Sequence, residues 1–335
     1  MSRILEVENL RVDIPLESGT LHAVRDISFH VDKGETLCIV GESGCGKSLT
    51  SLALMGLLPT KAIRTANRLS LGGRDLKTLN ETQMADIRGS RMAMIFQEPM
   101  TSLNPAYTIG NQLAEAMLRH RKVNPNEARE RAIYLLEKVG ITAAASRLGQ
   151  YPHQLSGGLR QRVMIAMALM CGPDMILADE PTTALDVTIQ AQILHLLANL
   201  QKEFEMGLVL ITHDLGIVAR VAHRVAVMYA GQIVEEGTVE DIFRRPMHPY
   251  TQGLLRCIPI PGKTARGAHL GSIPGMVPSL IGDLKGCAFA NRCPHAFSDC
   301  NTTDVALRDA SGGQRYRCLL SQEAATQNAR EAATA

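Results

Sequence analysis

The chain is expected to fold as an α/β protein built on a largely parallel sheet. An antiparallel β layer, a helical insertion and a small cysteine-rich C-terminal extension accompany that core. Three observations carry this expectation. The apolar runs "TLCIV" (36–40), "DMILAD" (174–179) and "GLVLIT" (207–212) read as strands, the first continuous enough to be buried on both faces. Helical patterns at 187–205 and 215–222 alternate with them, and such alternation implies parallel pairing through crossovers. Ahead of these, residues 5–31 alternate apolar and polar around Glu17, Ser18 and Gly19, the mark of an antiparallel pair.

Taken in order, "DKGE" (32–35) is a turn into the strand 36–40. A glycine-rich loop follows, then a helix from Lys47 to about Leu58 and a strand "MAMIF" (92–96). From 110 to 171 the pattern is helical, through "NQLAEAMLRH", "NEARERAIYLLEKVG" and "LRQRVMIAMALMCG". This block breaks the strand–helix rhythm and reads as an insertion over about 98–165. "RVAVMYAGQIVEEG" is a hairpin-like strand pair closing a main domain at about residue 245. Residues 246–320 turn rich in Pro, Gly and Cys and form the extension. The end, "SQEAATQNAREAATA" (321–335), reads as a frayed or disordered tail.

Composition narrows the function. Over 335 residues, 35 basic side chains nearly balance 33 acidic ones, and +2 is too little to argue for nucleic acid or anionic lipid as a partner. "MSRILEVENL" holds Glu6 and Glu8 and lacks the apolar core of a signal peptide. No apolar run approaches the ~20 residues that span a bilayer. The eight cysteines therefore read as reduced thiols in a cytoplasmic protein.

The chemistry is concentrated in two short motifs. "GESGCGKS" (41–48) follows a strand and opens a helix, the setting of a phosphate-binding loop. Gly41, Gly44 and Gly46 let backbone N–H groups of the loop, which includes Glu42, Ser43 and Cys45, approach a polyphosphate. Lys47 reaches the β/γ-phosphates, Ser48 offers its hydroxyl to Mg²⁺, and Leu49 continues the helix beneath the nucleotide. In "MILADE" (175–180) a strand delivers Asp179 to the metal and Glu180 to an attacking water. Cys45, at a helix N-terminus, is expected either to be a readily alkylated thiol that ATP protects or simply a small space-filling residue.

Between these motifs lies "LSGGLRQR" (155–162), and with it the chain resembles the ATP-binding cassette (ABC) ATPases over about residues 3–240. Gln97 matches that family's Q-loop, "ALD" (184–186, with Asp186) its D-loop and His213 its switch histidine. The resemblance implies that Glu180 polarises water, His213 contacts the γ-phosphate, and Gln97 links the metal to the insertion. It also implies that Ser156, Gly157 and Gly158, at a helix N-terminus, close on the γ-phosphate held by a second cassette. One motif set per chain means that a partner supplies that cassette. Two positions depart from the family: near residue 14 no aromatic is available to stack on adenine, leaving His22 as a candidate, and Leu159 stands where Gln is commoner.

"FQEPMTSLNP" (96–105) and "HPYTQGLL" (248–255) resemble the oligopeptide, dipeptide and nickel importer ATPases, nearest the D-type subunit of dipeptide importers. The implied role is to energise a bacterial importer of di- or oligopeptides, or of a nickel chelate or glutathione-like solute. The implied setting is the cytoplasmic face of the inner membrane, with a second ATPase (a paralogue or a copy), two permeases and an extracytoplasmic solute-binding protein. A soluble ABC ATPase acting on nucleic acid or ribosomes is the alternative. Cys287, Cys293, Cys300 and Cys318 are spaced x5, x6 and x17. That spacing leaves zinc, an iron–sulfur cluster and free thiols open; the resemblance favours a [4Fe–4S] cluster as a staple for the extension.

Overall fold

The structure is a computed structural model that describes residues 2–98, 102–183, 185–258, 271–282 and 284–334. Ala184 of the "ALD" stretch and residues 99–101 of "FQEPMTSLNP" lie outside them.

Strands β1 (Arg3–Leu16) and β2 (Gly19–Asp32) pair antiparallel, with Val7 opposite Phe29 and Ile14 opposite Leu21. Their alternation sends Leu5, Val7, Leu10 and Val12, with Val24, Ile27, Phe29 and Val31, to one buried face. β3 (Thr36–Val40) is buried at every position and leads into α1 (Lys47–Met55), which ends on Gly56 in a left-handed cap. Three short strands absent from the sequence reading come next: β4 (Ile63–Thr65), β5 (Arg68–Leu71) and β6 (Arg74–Asp75). β4 and β5 extend the antiparallel layer by pairing with β1. After α2 (Glu81–Ile87), started by an Asn80–Gln83 capping box, comes β7 (Met92–Ile95).

Among the described residues between β7 and the next strand, the regular structure is helical. α3 (Ile109–His120) is capped by Thr108, α4 (Pro125–Lys138) by an Asn124–Glu127 box with proline at its start, and α5 (Gly157–Leu169) by Ser156. Then follow β8 (Met175–Asp179), α6 (Val187–Phe204), β9 (Gly207–Thr212), α7 (Leu215–Val221), β10 (Arg224–Tyr229), β11 (Gln232–Thr238) and α8 (Val239–Arg244). Beyond them lie α9 (Pro249–Arg256), β12 (Arg308–Asp309), β13 (Arg315–Tyr316) and α10 (Gln322–Thr334).

Among the described residues the main sheet runs β12-β13-β11-β10-β3-β9-β8-β7. The five strands from β10 to β7 are parallel, and β11 turns back antiparallel on β10. Successive side chains divide between two cores. Leu37, Ile39, Val209 and Ile211 face the antiparallel layer and α1, whereas Cys38, Val40, Leu208 and Leu210 face the helices.

The extension adds its short strands β13 and β12 to the sheet edge and sends Phe289 into an aromatic nest. There the Phe289 ring lies 5.3 Å from Tyr229 and 5.4 Å from Tyr250, centroid to centroid. Within the segment 321–335, expected to be frayed, Gln322–Thr334 instead form α10. Its Ala325 is fully buried, and the Gln252 side-chain amide donates to the Ala325 carbonyl at 3.2 Å. Its polar composition suggested disorder, but alanine has the strongest helix propensity and one small buried contact docks the turn.

Candidate functional site

The parallel strands fix the site. Register pairs Val40 with Thr212, Asp179 with Ile211 and Ile95 with Ala178, so β3, β9, β8 and β7 end side by side. The carboxyl ends of adjacent parallel strands are where α/β sheets bind ligands. Here they present the 41–48 loop, His213, the Asp179–Glu180 pair and Gln97.

Backbone approach explains the loop's glycines. A Cβ on Gly41 would stand 2.1 Å from the Met228 carbonyl oxygen, and one on Gly46, at φ 102°, 2.4 Å from that of Ala23. Gly46 also caps α1 with no side-chain hydrogen bond, leaving the helix N-terminus open to an anion. Lys47 is buried, and its Nζ donates to the carbonyls of Gly41 (2.8 Å) and Glu42 (3.0 Å). Ser43 and Gly44 are exposed on the loop, and Leu49 packs partly into the core beneath it.

The Ser48 hydroxyl donates to Asp179 Oδ1 at 3.0 Å, bringing together two of the three sequence-predicted magnesium ligands, Gln97 being the third. Asp179 is buried; desolvation raises its pKa, Ser48 opposes that rise, and the neighbouring Glu180 adds to it. A hydroxyl beside a carboxylate, with the Gln97 carboxamide nearby, is an all-oxygen donor set that fits Mg²⁺ with phosphates completing the shell.

Glu180 is where the other predicted residues meet. Its Oε2 accepts from Gln97 Nε2 at 3.1 Å and from Thr183 Oγ1 at 3.0 Å, and lies 3.6 Å from His213 Nδ1. Its backbone is left-handed at φ 44°, a strained setting for a non-glycine residue, of the kind that clusters at functional sites. Ser156, Gly157 and Gly158 stand apart from this group. Ser156 caps α5, and the two glycines face Leu185 and Ile189 around α6, whose own cap is Asp186.

One open alternative is decided and two expectations need correction. Cys45 is 1% exposed, and burial raises its thiol pKa despite Lys47 nearby, so it is an inert space-filler rather than a reactive thiol. His22 is held by Asp13, Nδ1 to Oδ1 2.7 Å, on the outer face of the β layer beside the extension, in a cavity of about 450 Å³ that the 41–48 loop does not line. The expected [4Fe–4S] cluster on Cys287, Cys293, Cys300 and Cys318, with zinc as its alternative, is not upheld. Among the described residues no group of three or more His, Cys, Asp or Glu side chains is placed to hold a metal ion. The four cysteines line a small cavity with Phe289, Leu319 and Leu320, and burial pushes the Cys293 thiol up to about 11. They pack as small apolar side chains.

Sequence reasoning missed Thr183, Tyr250 and Arg292. The Glu42 N–H donates to Tyr250 Oη at 2.9 Å, and Arg292 pairs with the Glu42 carboxylate. "HPYTQGLL" had marked Tyr250 only as a likeness.

With strand ends, loop and carboxylates arranged in this way, the site is that of an ATP-binding cassette. The comparisons agree. The pattern described as "ABC transporter" matches residues 24–183, and "Oligopeptide/dipeptide transporter, C-terminal region" matches 234–300. A "Dipeptide transport ATP-binding protein DppD" of Bacillus subtilis (strain 168) is 50% identical, covering 97% of each chain. The protein of the same name in Escherichia coli (strain K12) is 50% identical over 94% of this chain and 96% of its own. A solved structure titled "Dimeric structure of a post-hydrolysis state of the ATP-binding cassette MJ0796 bound to ADP and Pi" shares 25% identity at TM-score 0.62. It covers 70% of this chain and 98% of its own. The chain belongs to the ATP-binding proteins of the oligopeptide/dipeptide branch of the ABC transporter family. Among its described residues no helix is long and apolar enough to cross a membrane.

Proposed function

We propose that this chain binds and hydrolyses ATP to energise a bacterial importer of di- or oligopeptides or a related small solute. The observation that carries the reading is the convergence of Gln97, Thr183 and His213 on the Glu180 carboxylate beside a phosphate loop. In this reading Lys47 turns from the loop carbonyls to the β/γ-phosphate oxygens, and the N–H groups of residues 41–49 cradle the chain of phosphates. Ser48, Asp179 and Gln97 would hold Mg²⁺, which when bound offsets the charge of the β- and γ-phosphates. Glu180 orients the attacking water and accepts its proton, while His213 donates to the γ-phosphate. Ser156, Gly157 and Gly158 of one subunit close on the nucleotide of another, with Asp186 at the joint; the dimeric state named for the MJ0796 cassette supports such pairing.

We assign the nucleotide-binding domain to residues 1–245, with its helical insertion at about 98–165, and the extension to 246–320. Two permeases would dock near Gln97 and the helical insertion, where Phe96, next to Gln97 in the chain, and Tyr107, within the insertion, are exposed large hydrophobic side chains. The subunit would sit on the cytoplasmic face of the inner membrane, served by an extracytoplasmic solute-binding protein, with a paralogue or a second copy as the other cassette. The peptide-transport names of the relatives support the peptide solute.

The test is Glu180→Gln with MgATP and the companion cassette. We expect the closed dimer to accumulate while hydrolysis falls at least about 100-fold. Turnover within tenfold of the parent, or subunits that stay apart, would sink the reading.

A further inference from the structure

Glu42 is an acid inside the loop that must hold a polyphosphate, where an uncompensated carboxylate repels its ligand. The compensating charge comes from 250 residues away. Arg292 of the extension reaches Glu42 with both arms of its guanidinium, Nη1 to Oε2 at 2.7 Å and Nη2 to Oε1 at 2.9 Å. Its side chain is 4% exposed. The remaining donors are used as well: Nε bonds the Pro274 carbonyl at 2.9 Å and Nη2 the Ile273 carbonyl at 3.0 Å, while Nη1 also reaches Tyr229 Oη at 3.3 Å. The guanidinium carbon lies 5.7 Å from the centre of the Tyr229 ring and 5.9 Å from that of Phe289. Such a planar, fully engaged fork holds a carboxylate in one orientation. The same loop residue is fixed at two further points, its N–H to Tyr250 and its carbonyl to Lys47 Nζ.

We propose that Arg292 is a positioning residue for nucleotide binding: it neutralises Glu42 and turns its carboxylate out of the phosphate bed, making ATP affinity depend on a docked extension. The inference rests on reading residues 41–48 as the phosphate loop. Arg292 touches no reacting atom; its effect passes through Glu42.

The test measures kcat and KM for ATP in the assembled transporter carrying Arg292→Gln, Arg292→Lys, Glu42→Gln or the Arg292→Gln/Glu42→Gln pair. Lys47→Ala serves as a control. We expect Arg292→Gln to raise KM about tenfold with kcat held within about threefold, and Arg292→Lys to fall between it and the parent. The double variant should recover to within about threefold of the parent KM, because the harm comes from the exposed carboxylate. A residue that merely anchored the extension would not be rescued this way. An unchanged KM in Arg292→Gln, or a double variant no better than the single, overturns the proposal; should Arg292→Gln fail to fold, Arg292→Lys with and without Glu42→Gln gives the same comparison. Normal ATP affinity in Lys47→Ala would instead overturn the loop assignment itself.

Discussion

The nucleotide site and the C-terminal extension are built on opposite principles. At the site, each side chain is placed by the strand or turn that precedes it, and neighbouring strand ends do the assembling. In the extension, beyond α9, regular structure among the described residues amounts to single turns and two-residue strands. Its position comes from long-range bonds such as Arg292 to Glu42, Arg25 Nη2 to the Leu284 carbonyl and Arg317 Nε to the Ile233 carbonyl. A small segment with little core of its own is held by the larger body beside it. Local backbone errors should therefore break the first region, and loss of single anchors the second.

The largest effect expected from this contrast is at Gly46→Ala. The new Cβ would meet the Ala23 carbonyl oxygen at 2.4 Å in a left-handed backbone. We expect a loss of several kcal/mol and of measurable nucleotide binding, read by thermal unfolding and ATP titration. Retention of both would mean that close packing does not govern the loop.

Phe289→Ala comes next. Phe289 is 2% exposed and touches Tyr229, Tyr250 and His248 through ring contacts. Truncation is expected to cost about 3 kcal/mol in urea unfolding. A change below about 1 kcal/mol would show that the aromatic nest is not the anchor.

The smallest effect is a slope. Glu235 is fully buried where β11 meets the extension, accepting from the Met247 and His248 N–H groups and the Gln314 amide, and burial pushes its pKa up to about 7. With the folded value above the ordinary 4.5, its contribution is fully present below about pH 4.5 and is lost as pH rises through 7. His248 behaves oppositely: burial pushes it down to about 3, so its contribution is present above 6.5 and is lost as pH falls through 3. Between pH 4.5 and 6.5 the two slopes oppose, at about 1.4 kcal/mol per pH unit each. Glu235→Gln should therefore lose stability by about that slope as pH falls from 6.5 to 5, measured by urea titration, whereas the parent stays nearly flat. Matching curves would remove the assignment.

The contrast also explains what could be read from residue order. Gly41 to Ser48, Asp179, Glu180 and the strands around them are legible because their chemistry is contiguous and the buried runs are long. β4 to β6 were not, since strands of two to four residues such as Arg68–Leu71 carry too few side chains to show a period. Arg292 was passed over because nothing in "ANRCP" indicates a partner 250 residues back. The cysteines misled for the converse reason. Crowding along the chain suggested ligands, but the fold spends the same side chains on packing, in a cavity shared with Phe289 and Leu320.

The buried Ala325 has a practical side. Because the Gln252 amide bonds the backbone of α10 as well as the Pro246 carbonyl, a protein shortened to residue 320 would lose one of those bonds and leave the Met247 side chain open to water. Purification handles belong after the final helix or at the other terminus, and a proteolytic clip there would wound the molecule far from where it meets its nucleotide.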